Sequence, residues 1–309
     1  MPNQLAGFNF VDFEILHHFT VSTCFTISSD PIVRNALRVV VPQIGFANDY
    51  VFHAVLSVAA LHLSRIKTEN RAFYISNAMQ HHRIASAAAI PLLSNITAEN
   101  CVPICMFSAL TFIFALASPR QPEDCLVING NTVPLWLSLL KGVQSVMHTE
   151  SKTISLSPLA AIFQDISEQG NSLQSLPIDI NESLIELENN IDIYSRDYPT
   201  KYQTLYKAVS ELKRSYRLVY GGDQQSRNMV RYVFIWLYHI SDDFLKLLKE
   251  TDNVALCILG YFCVLLKQVE NNWWIEGWAI HLLSQIYSQL DELHRSWIRW
   301  PIEQIGWVP

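Results

Sequence analysis

The stretch Asp49-Tyr50-Val51-Phe52-His53-Ala54-Val55-Leu56-Ser57-Val58-Ala59-Ala60-Leu61-His62-Leu63-Ser64-Arg65 decides the fold class. It holds no Gly and no Pro, and Val51, Ala54, Val55, Val58, Ala59, Leu61 and His62 recur at helical spacing. Its small residues let helices approach closely. Ala72 to Leu93 reads the same way, with Ala78, Ala85, Ala87, Ala88 and Ala89. Composition agrees: 50% of the 309 residues are apolar, 16% are charged and ten are Gly. Low Gly with abundant Leu, Ile and Ala favours helices, since Gly costs about 1 kcal/mol per helix position. No strand alternation and no repeat of fixed period stands out. The reading is all-α, one large helical domain over residues 1–309 with a loop-rich segment at about 149–199.

Working outward, Phe10 to Ser28 carries helical spacing through Phe13, Leu16 and Phe19. Asp30 is a candidate N-cap with Pro31 at the first helical position, and Val39 to Pro42 is expected to end that helix. Thr97 is the candidate cap of a long apolar helix from Cys101 to Ser118. Pro119 to Asn131 holds Pro119, Pro122 and Gly130 and reads as a loop, followed by a helix from Leu135 to Met147. Thr149 to Ser195, polar and poor in aromatics, reads as surface loops with one or two short helices. Amphipathicity returns at Lys201 to Val219, where Tyr202, Leu205, Tyr206, Val209, Leu212 and Tyr216 form a stripe. Helices are expected over Arg227 to Tyr238, from Asp242-Asp243 onward, over Val254 to Val269 and over Asn271 to Leu290. The tail Trp297-Ile298-Arg299-Trp300-Pro301 reads as packed down.

Several function classes are excluded or disfavoured. A formal charge of −6 lacks the basic surface that displaces counterions from phosphates, so direct nucleic-acid binding is not expected. The N-terminus shows no basic region followed by an apolar run, which points to an intracellular protein, cytoplasmic or nuclear. Cysteines 24, 101, 105, 125, 257 and 263 sit mostly in apolar runs and read as reduced, buried thiols. Cys101 and Cys105 share a helix face, but two ligands do not make a zinc site, and no metal and no cofactor is expected. The apolar run 101–118 contains Pro103, Ser108 and Thr111 and reads as a core helix rather than a membrane span. No G-x-S-x-G, H-E-x-x-H or Gly-rich phosphate loop is present. Adjacent residues on a helix point about 100° apart, so His17-His18 and His81-His82 each read as one inward and one outward ring.

The segment with most chemistry is Asn271-Asn272-Trp273-Trp274-Ile275-Glu276-Gly277-Trp278-Ala279-Ile280-His281. On a helix, Trp274, Trp278 and His281 fall at i, i+4 and i+7 and share a face, while Trp273 lies on another. The pattern reads as aromatic core packing or as the wall of an apolar ligand cavity with His281 as its polar handle. Trp273, Trp274, Trp278 and His281 are the candidate ligand residues, together with Phe107 in the long apolar helix. No residue is singled out as catalytic.

Several blocks carry a family resemblance. They are Phe13-Glu14-Ile15-Leu16-His17-His18-Phe19-Thr20, Val41-Pro42, His53 to Leu63, Pro91 to Cys101, Trp273 to Trp278, and Trp297 to Pro301. Together and in order they resemble the C-terminal regulatory domain of fungal zinc-cluster transcription factors of the sterol uptake control type. The resemblance implies a fungal source, an all-helical domain with a deep hydrophobic pocket for a sterol-like ligand, and a tendency to dimerise. It supplies no catalytic residue. The six cysteines lack the close spacing of the zinc cluster, and the first matched block begins near Phe10, so the chain is expected to lack DNA binding of its own. Two function readings follow. The first is a stand-alone regulatory domain that binds a hydrophobic sterol- or terpenoid-like molecule and acts through a protein partner. The second is a cofactor-free enzyme of secondary metabolism, a cyclase, Diels-Alderase or isomerase working on a terpenoid or polyketide by holding reacting atoms together in the same pocket. A third reading places the zinc cluster on an upstream exon.

Overall fold

The computed structural model describes residues 9–120, 137–139, 141–142, 150–157, 159–163, 175–221 and 229–309. Among them the secondary structure is helical throughout, with no strand, as the sequence predicts. The chain gathers into two compact units, Met1–Pro119 with Trp136–Gln164, and Arg120–Leu135 with Asp165–Pro309.

The first unit is built around one helix. In order it contains α1 (Phe10–His18), α2 (Cys24–Ile27), α3 (Pro31–Asn35), α4 (Val41–Ala47), α5 (Asp49–Ile66), α6 (Arg71–Ala89) and α7 (Cys101–Ala117), then the short α8 (Ser151–Ser155) and α9 (Ala160–Phe163). From Tyr50 to Ser64 every residue of α5 except His53 is buried. Helices α1, α4, α6 and α7 pack against it. Asn9 caps α1 by accepting from the N–H groups of Val11 and Asp12, while the Asp12 carboxylate accepts from the Asn9 N–H. Such a reciprocal box satisfies donors that a helix start leaves open. Asp30 caps α3 as expected, accepting from Ile32 and Val33, with Pro31 at the helix start.

Pro42 does not end that helix. A π-helical turn, Ala36–Val40, follows α3 and runs on into α4. Proline lacks an N–H and crowds the carbonyl four residues back, and the wider turn relieves both demands without breaking the helix. A similar π turn, Phe19–Thr23, joins α1 to α2. Helix α7 starts differently from expectation too. The Thr97 carbonyl accepts from the N–H groups of Asn100 and Cys101, while the Asn100 side chain accepts from the Thr97 N–H. The backbone of Thr97, rather than its hydroxyl, leads the chain into the helix. Cys101 and Cys105 pack on Ile154, as structural thiols do. No described helix is long and apolar enough to cross a membrane. Cys125, most of the 119–131 loop and most of the 135–147 helix lie outside the described residues.

The second unit contains α10 (Ile178–Ser195), α11 (Pro199–Tyr220), α12 (Met229–His239), α13 (Asp242–Lys249), α14 (Asn253–Lys267), α15 (Trp278–Gln289), α16 (Glu292–Trp297) and α17 (Arg299–Ile305). Its centre is α14, buried at every position from Val254 to Leu266. Helices α11, α13, α15, α16 and α17 surround it. Buried polar tips tie the layers: the Tyr216 hydroxyl donates to the Tyr261 carbonyl at 2.7 Å, the Tyr261 hydroxyl to the Ser183 carbonyl at 3.2 Å, and the Trp236 indole N–H to the Ala208 carbonyl at 2.9 Å. Ser241, Asp252 and Asp291 cap α13, α14 and α16. Trp297 and Pro301 are buried, so the aromatic tail is packed down as expected.

Two expectations are corrected here. The loop-rich segment holds short helices at 151–155 and 160–163, but Ile178–Ser195 is one helix of 18 residues. It buries Ile180, Leu184, Leu187 and Ile191 on one face. Asn271 to Gly277 forms turns, and α15 starts at Trp278.

Helices α4 and α5 cross closely at Gly45, where an added Cβ would lie 3.1 Å from the Phe52 Cα. Backbone there has little room to yield, so Gly45→Ala should cost about 1–3 kcal/mol, the range for an overpacked core. Urea unfolding of the variant checks this, and an unchanged midpoint would show that the crossing is looser than described.

Candidate functional site

The tryptophan-bearing turn and the first helical turn of α15 form the site in the second unit. Asn272 N–H donates to Val269 O, Ile275 N–H to Asn272 O and Trp278 N–H to Ile275 O, so the chain steps through successive turns before the helix. Gly277 sits at φ +74, the left-handed region that side chains avoid. It is also the residue just before α15 and brings no side chain to cap it. The cap comes from a distance instead: the Glu270 carboxylate accepts from the Ala279 N–H at 2.9 Å and pairs with Lys267 through its other oxygen. A carboxylate at this end also faces the positive pole of the helix.

Trp278 is buried. The Arg120 guanidinium lies 5.5 Å from the centre of its ring, and the His281 ring stands edge-on to it at 5.6 Å. Trp278 and His281 are three residues apart on α15 and do share a face. Trp274 lies in the preceding turn rather than on that helix, is 2% exposed and stacks on Phe234 at 6.4 Å. Trp273 is half-buried in the same turn. The i, i+4, i+7 face drawn from the sequence therefore reduces to the Trp278–His281 pair, because Gly277 breaks the helix in front of it. Arg120 was not among the sequence candidates; its approach to Gly277, within 2.9 Å of where a Cβ would be, is invisible without the fold.

Phe107 belongs to the first unit. It is fully buried in α7 and meets the Tyr50 ring edge-on at 6.0 Å. Two surface recesses are present elsewhere, one of about 170 Å³ beside Phe25, Arg34 and Arg38 and one of about 550 Å³ beside Tyr287, Arg295 and Arg299. Neither contains a candidate residue.

The first unit also gathers histidines around α5. His53 Nδ1 and His81 Nδ1 are 2.8 Å apart, and His81 Nε2 lies 3.1 Å from Asp12 Oδ1. His62 Nδ1 lies 3.1 Å from His18 Nε2 and 3.0 Å from the Thr23 hydroxyl. Burial lowers the pKa of His18, His53 and His81, outweighing the pull of Asp12 on His81, and takes His62 and His82 down to about 4. His81 in its neutral form keeps its proton on Nε2 for Asp12, so its Nδ1 accepts and His53 donates. The His17-His18 pair divides outward and inward as expected. The His81-His82 pair does not: both rings are held inside, His82 stacked on Phe114 at 3.8 Å. Among the described residues no group of three His, Cys, Asp or Glu is arranged to hold a metal ion.

Comparison with known proteins gives the family. Residues 14–172 match the fungal specific transcription factor domain family, over half of the chain. The chain belongs to this family. It is 23% identical to a Zn(2)-C6 fungal-type transcription factor of Gibberella zeae over 96% of its own length and 62% of that protein. It is 24% identical to the Zn(2)-C6 fungal-type transcription factor afumD of Aspergillus fumigatus over 47% of the chain and 38% of the relative. It is 22% identical to sterol uptake control protein 2 of Saccharomyces cerevisiae over 93% of the chain and 31% of the relative. The chain thus spans between about a third and three-fifths of the length of these relatives.

Two outcomes test this geometry. An alanine at 277 must take up the left-handed conformation and push Arg120 aside, so Gly277→Ala should destabilise by about 1–3 kcal/mol. Adding Arg120→Ala should recover the part due to crowding, and full additivity of the two changes in denaturant unfolding would refute the contact. For the histidines the sign follows from proton linkage. His62 has a folded pKa near 4 against an ordinary 6.5, so its contribution is complete above about pH 6.5 and is lost as pH falls toward 4. The melting temperature should drop across this window, and His62→Gln should flatten the drop. An unchanged acid limb in the variant counts against a neutral, buried His62.

Proposed function

We propose that the chain is a regulatory domain that binds a hydrophobic, sterol- or terpenoid-like small molecule and passes that state to a protein partner. The observation that carries the reading is the Trp-bearing turn: one short segment joins buried indole surface at Trp274 and Trp278 to two nitrogen-bearing groups, Arg120 and His281. An apolar wall with few polar groups converging on it is the ordinary make-up of a small-molecule site. The guanidinium and the imidazole are suited to a hydroxyl or carbonyl oxygen at one end of a largely apolar molecule. Kinship with a protein named for sterol uptake control supports the same class of ligand. No metal, cofactor or direct contact with nucleic acid enters this reading, and self-association into a homodimer is part of it. On this reading the chain works inside the cell, in the cytoplasm or the nucleus.

A ligand that binds the folded state alone stabilises it, by about 2.7 kcal/mol at a hundredfold excess over Kd. Titration of the whole chain with sterols and terpenoids should therefore raise its melting temperature. Trp278→Phe combined with His281→Ala should lose most of the rise. A flat response across a broad panel of both lipid classes would sink the reading.

A further inference from the structure

The first unit holds three buried polar atoms with no hydrogen-bond partner among the described residues: the Tyr50 hydroxyl, His82 Nδ1 and the Thr111 hydroxyl. Buried polar atoms are paired in the great majority of cases, so each unpaired one asks for an explanation. These three come from α5, α6 and α7, which pack on one another. Phe107, Thr111 and Phe114 fall at i, i+4 and i+7, on one face of α7. Phe107 meets the Tyr50 ring and Phe114 stacks on the His82 ring. Thr111 therefore lies on α7 between the two phenylalanines whose rings meet those of Tyr50 and His82. The His53–His81 hydrogen bond ties α5 to α6 three residues from Tyr50 and one residue from His82.

Local pairing does not account for Thr111. On the same helix Ser108 folds its hydroxyl back onto the Ile104 carbonyl at 2.8 Å, and Ser118 follows the helix end onto the Phe114 carbonyl at 2.7 Å. Thr111 makes no such bond. His82 has its other nitrogen occupied, 3.4 Å from the Ser86 hydroxyl, and keeps part of its surface exposed.

We propose that Tyr50, His82 and Thr111 anchor the hydroxyl or carbonyl oxygen of an uncharged, apolar small molecule at the junction of α5, α6 and α7. Each of the three groups can meet an alcohol or ketone oxygen. All three are neutral near pH 7, since burial lifts the Tyr50 hydroxyl to about 12 and takes His82 down to about 4. Carboxylates and phosphates find no opposite charge in this trio. Aromatic faces from Phe107 and Phe114 line the apolar side. The proposal goes beyond the Trp-bearing turn and does not rest on it, since all its residues belong to the first unit.

The test uses the full chain and matched pairs that differ by one oxygen: borneol against bornane, and 1-dodecanol against dodecane. The alcohols should raise the melting temperature and the hydrocarbons should not. Thr111→Val and Tyr50→Phe keep shape and remove the unpaired oxygen. Each variant should melt at or above the parent without ligand and should lose most of the alcohol-dependent rise. Equal responses to alcohol and hydrocarbon overturn the proposal, as does an alcohol response that survives in both variants. Lower melting of both ligand-free variants overturns it too, because it would mean the hydroxyls are already paired. A response kept in Thr111→Val but lost in Trp278→Phe assigns the alcohol to the Trp-bearing turn instead and leaves the proposed function standing without this site.

Discussion

A helix buried on every side can send its polar side chains nowhere but into other protein groups, and α5 is placed under that constraint along nearly its whole length. Its serines solve the problem locally: Ser57 donates to the Ala54 carbonyl and Ser64 to the Leu61 carbonyl, both at 2.7 Å. Its histidines solve it at a distance. His53 reaches His81 on α6, which reaches Asp12 on α1, and His62 reaches His18 and Thr23. Because Asp12 also closes the cap of α1, one carboxylate fixes both where that helix begins and where it lies on α5. The same constraint recurs at α14. There Tyr261 both gives a hydrogen bond to Ser183 and receives one from Tyr216, so a single residue binds α10 and α11 to the buried centre.

Most of this fold is legible in the sequence because long apolar periodicity survives any tertiary context. Asp49 to Arg65 and Val254 to Val269 read as helices and are helices, differing at their ends by a residue or two. What failed to read was local. Ile178–Ser195 looked like loop because its polar residues outnumber its apolar ones, yet Ile180, Leu184, Leu187 and Ile191 recur at helical spacing and are the part that packs. Pro42 looked like a stop because a regular helix cannot hold it, and the chain answers with an irregular turn that residue types do not encode. Gly277 admits the close approach of Arg120, and its left-handed conformation also ends the turns and begins α15, a role its residue type alone does not reveal.

The local geometry of the candidate site was only partly legible in the sequence. Of the four aromatic and imidazole side chains between Trp273 and His281, Trp278 and His281 meet, while the helix drawn through them gave the wrong pairing for Trp274. Arg120 enters from a distant part of the chain, and no spacing rule reaches that far. Phe107 was chosen for being apolar and central; the structure gives it a different neighbour, Tyr50, in the other unit. Tyr50, His82 and Thr111 carry no sequence mark at all. Whether a hydroxyl is paired is a property of what surrounds it, and the sequence shows only that it exists.

That missing pairing is costly, which makes it informative. A buried donor or acceptor left unsatisfied costs about 1–3 kcal/mol, and a folded domain is stable by only about 5–15 kcal/mol in total. Three such atoms on adjoining helices consume a sizeable share of that margin. The cost is avoidable at Thr111, where the carbonyl one turn back is available in the manner Ser108 uses. It is equally avoidable at Tyr50, where a phenylalanine would fill the same space against Phe107. An external oxygen that pairs with even two of these groups would return stability to the fold. The Trp-bearing turn has the opposite character, since its guanidinium favours an electron-rich group over a neutral hydrocarbon edge. The two proposed sites therefore differ in what they ask of a ligand: the one at α5, α6 and α7 takes an uncharged oxygen, the one at the Trp-bearing turn an oxygen that can face a cation beside an indole.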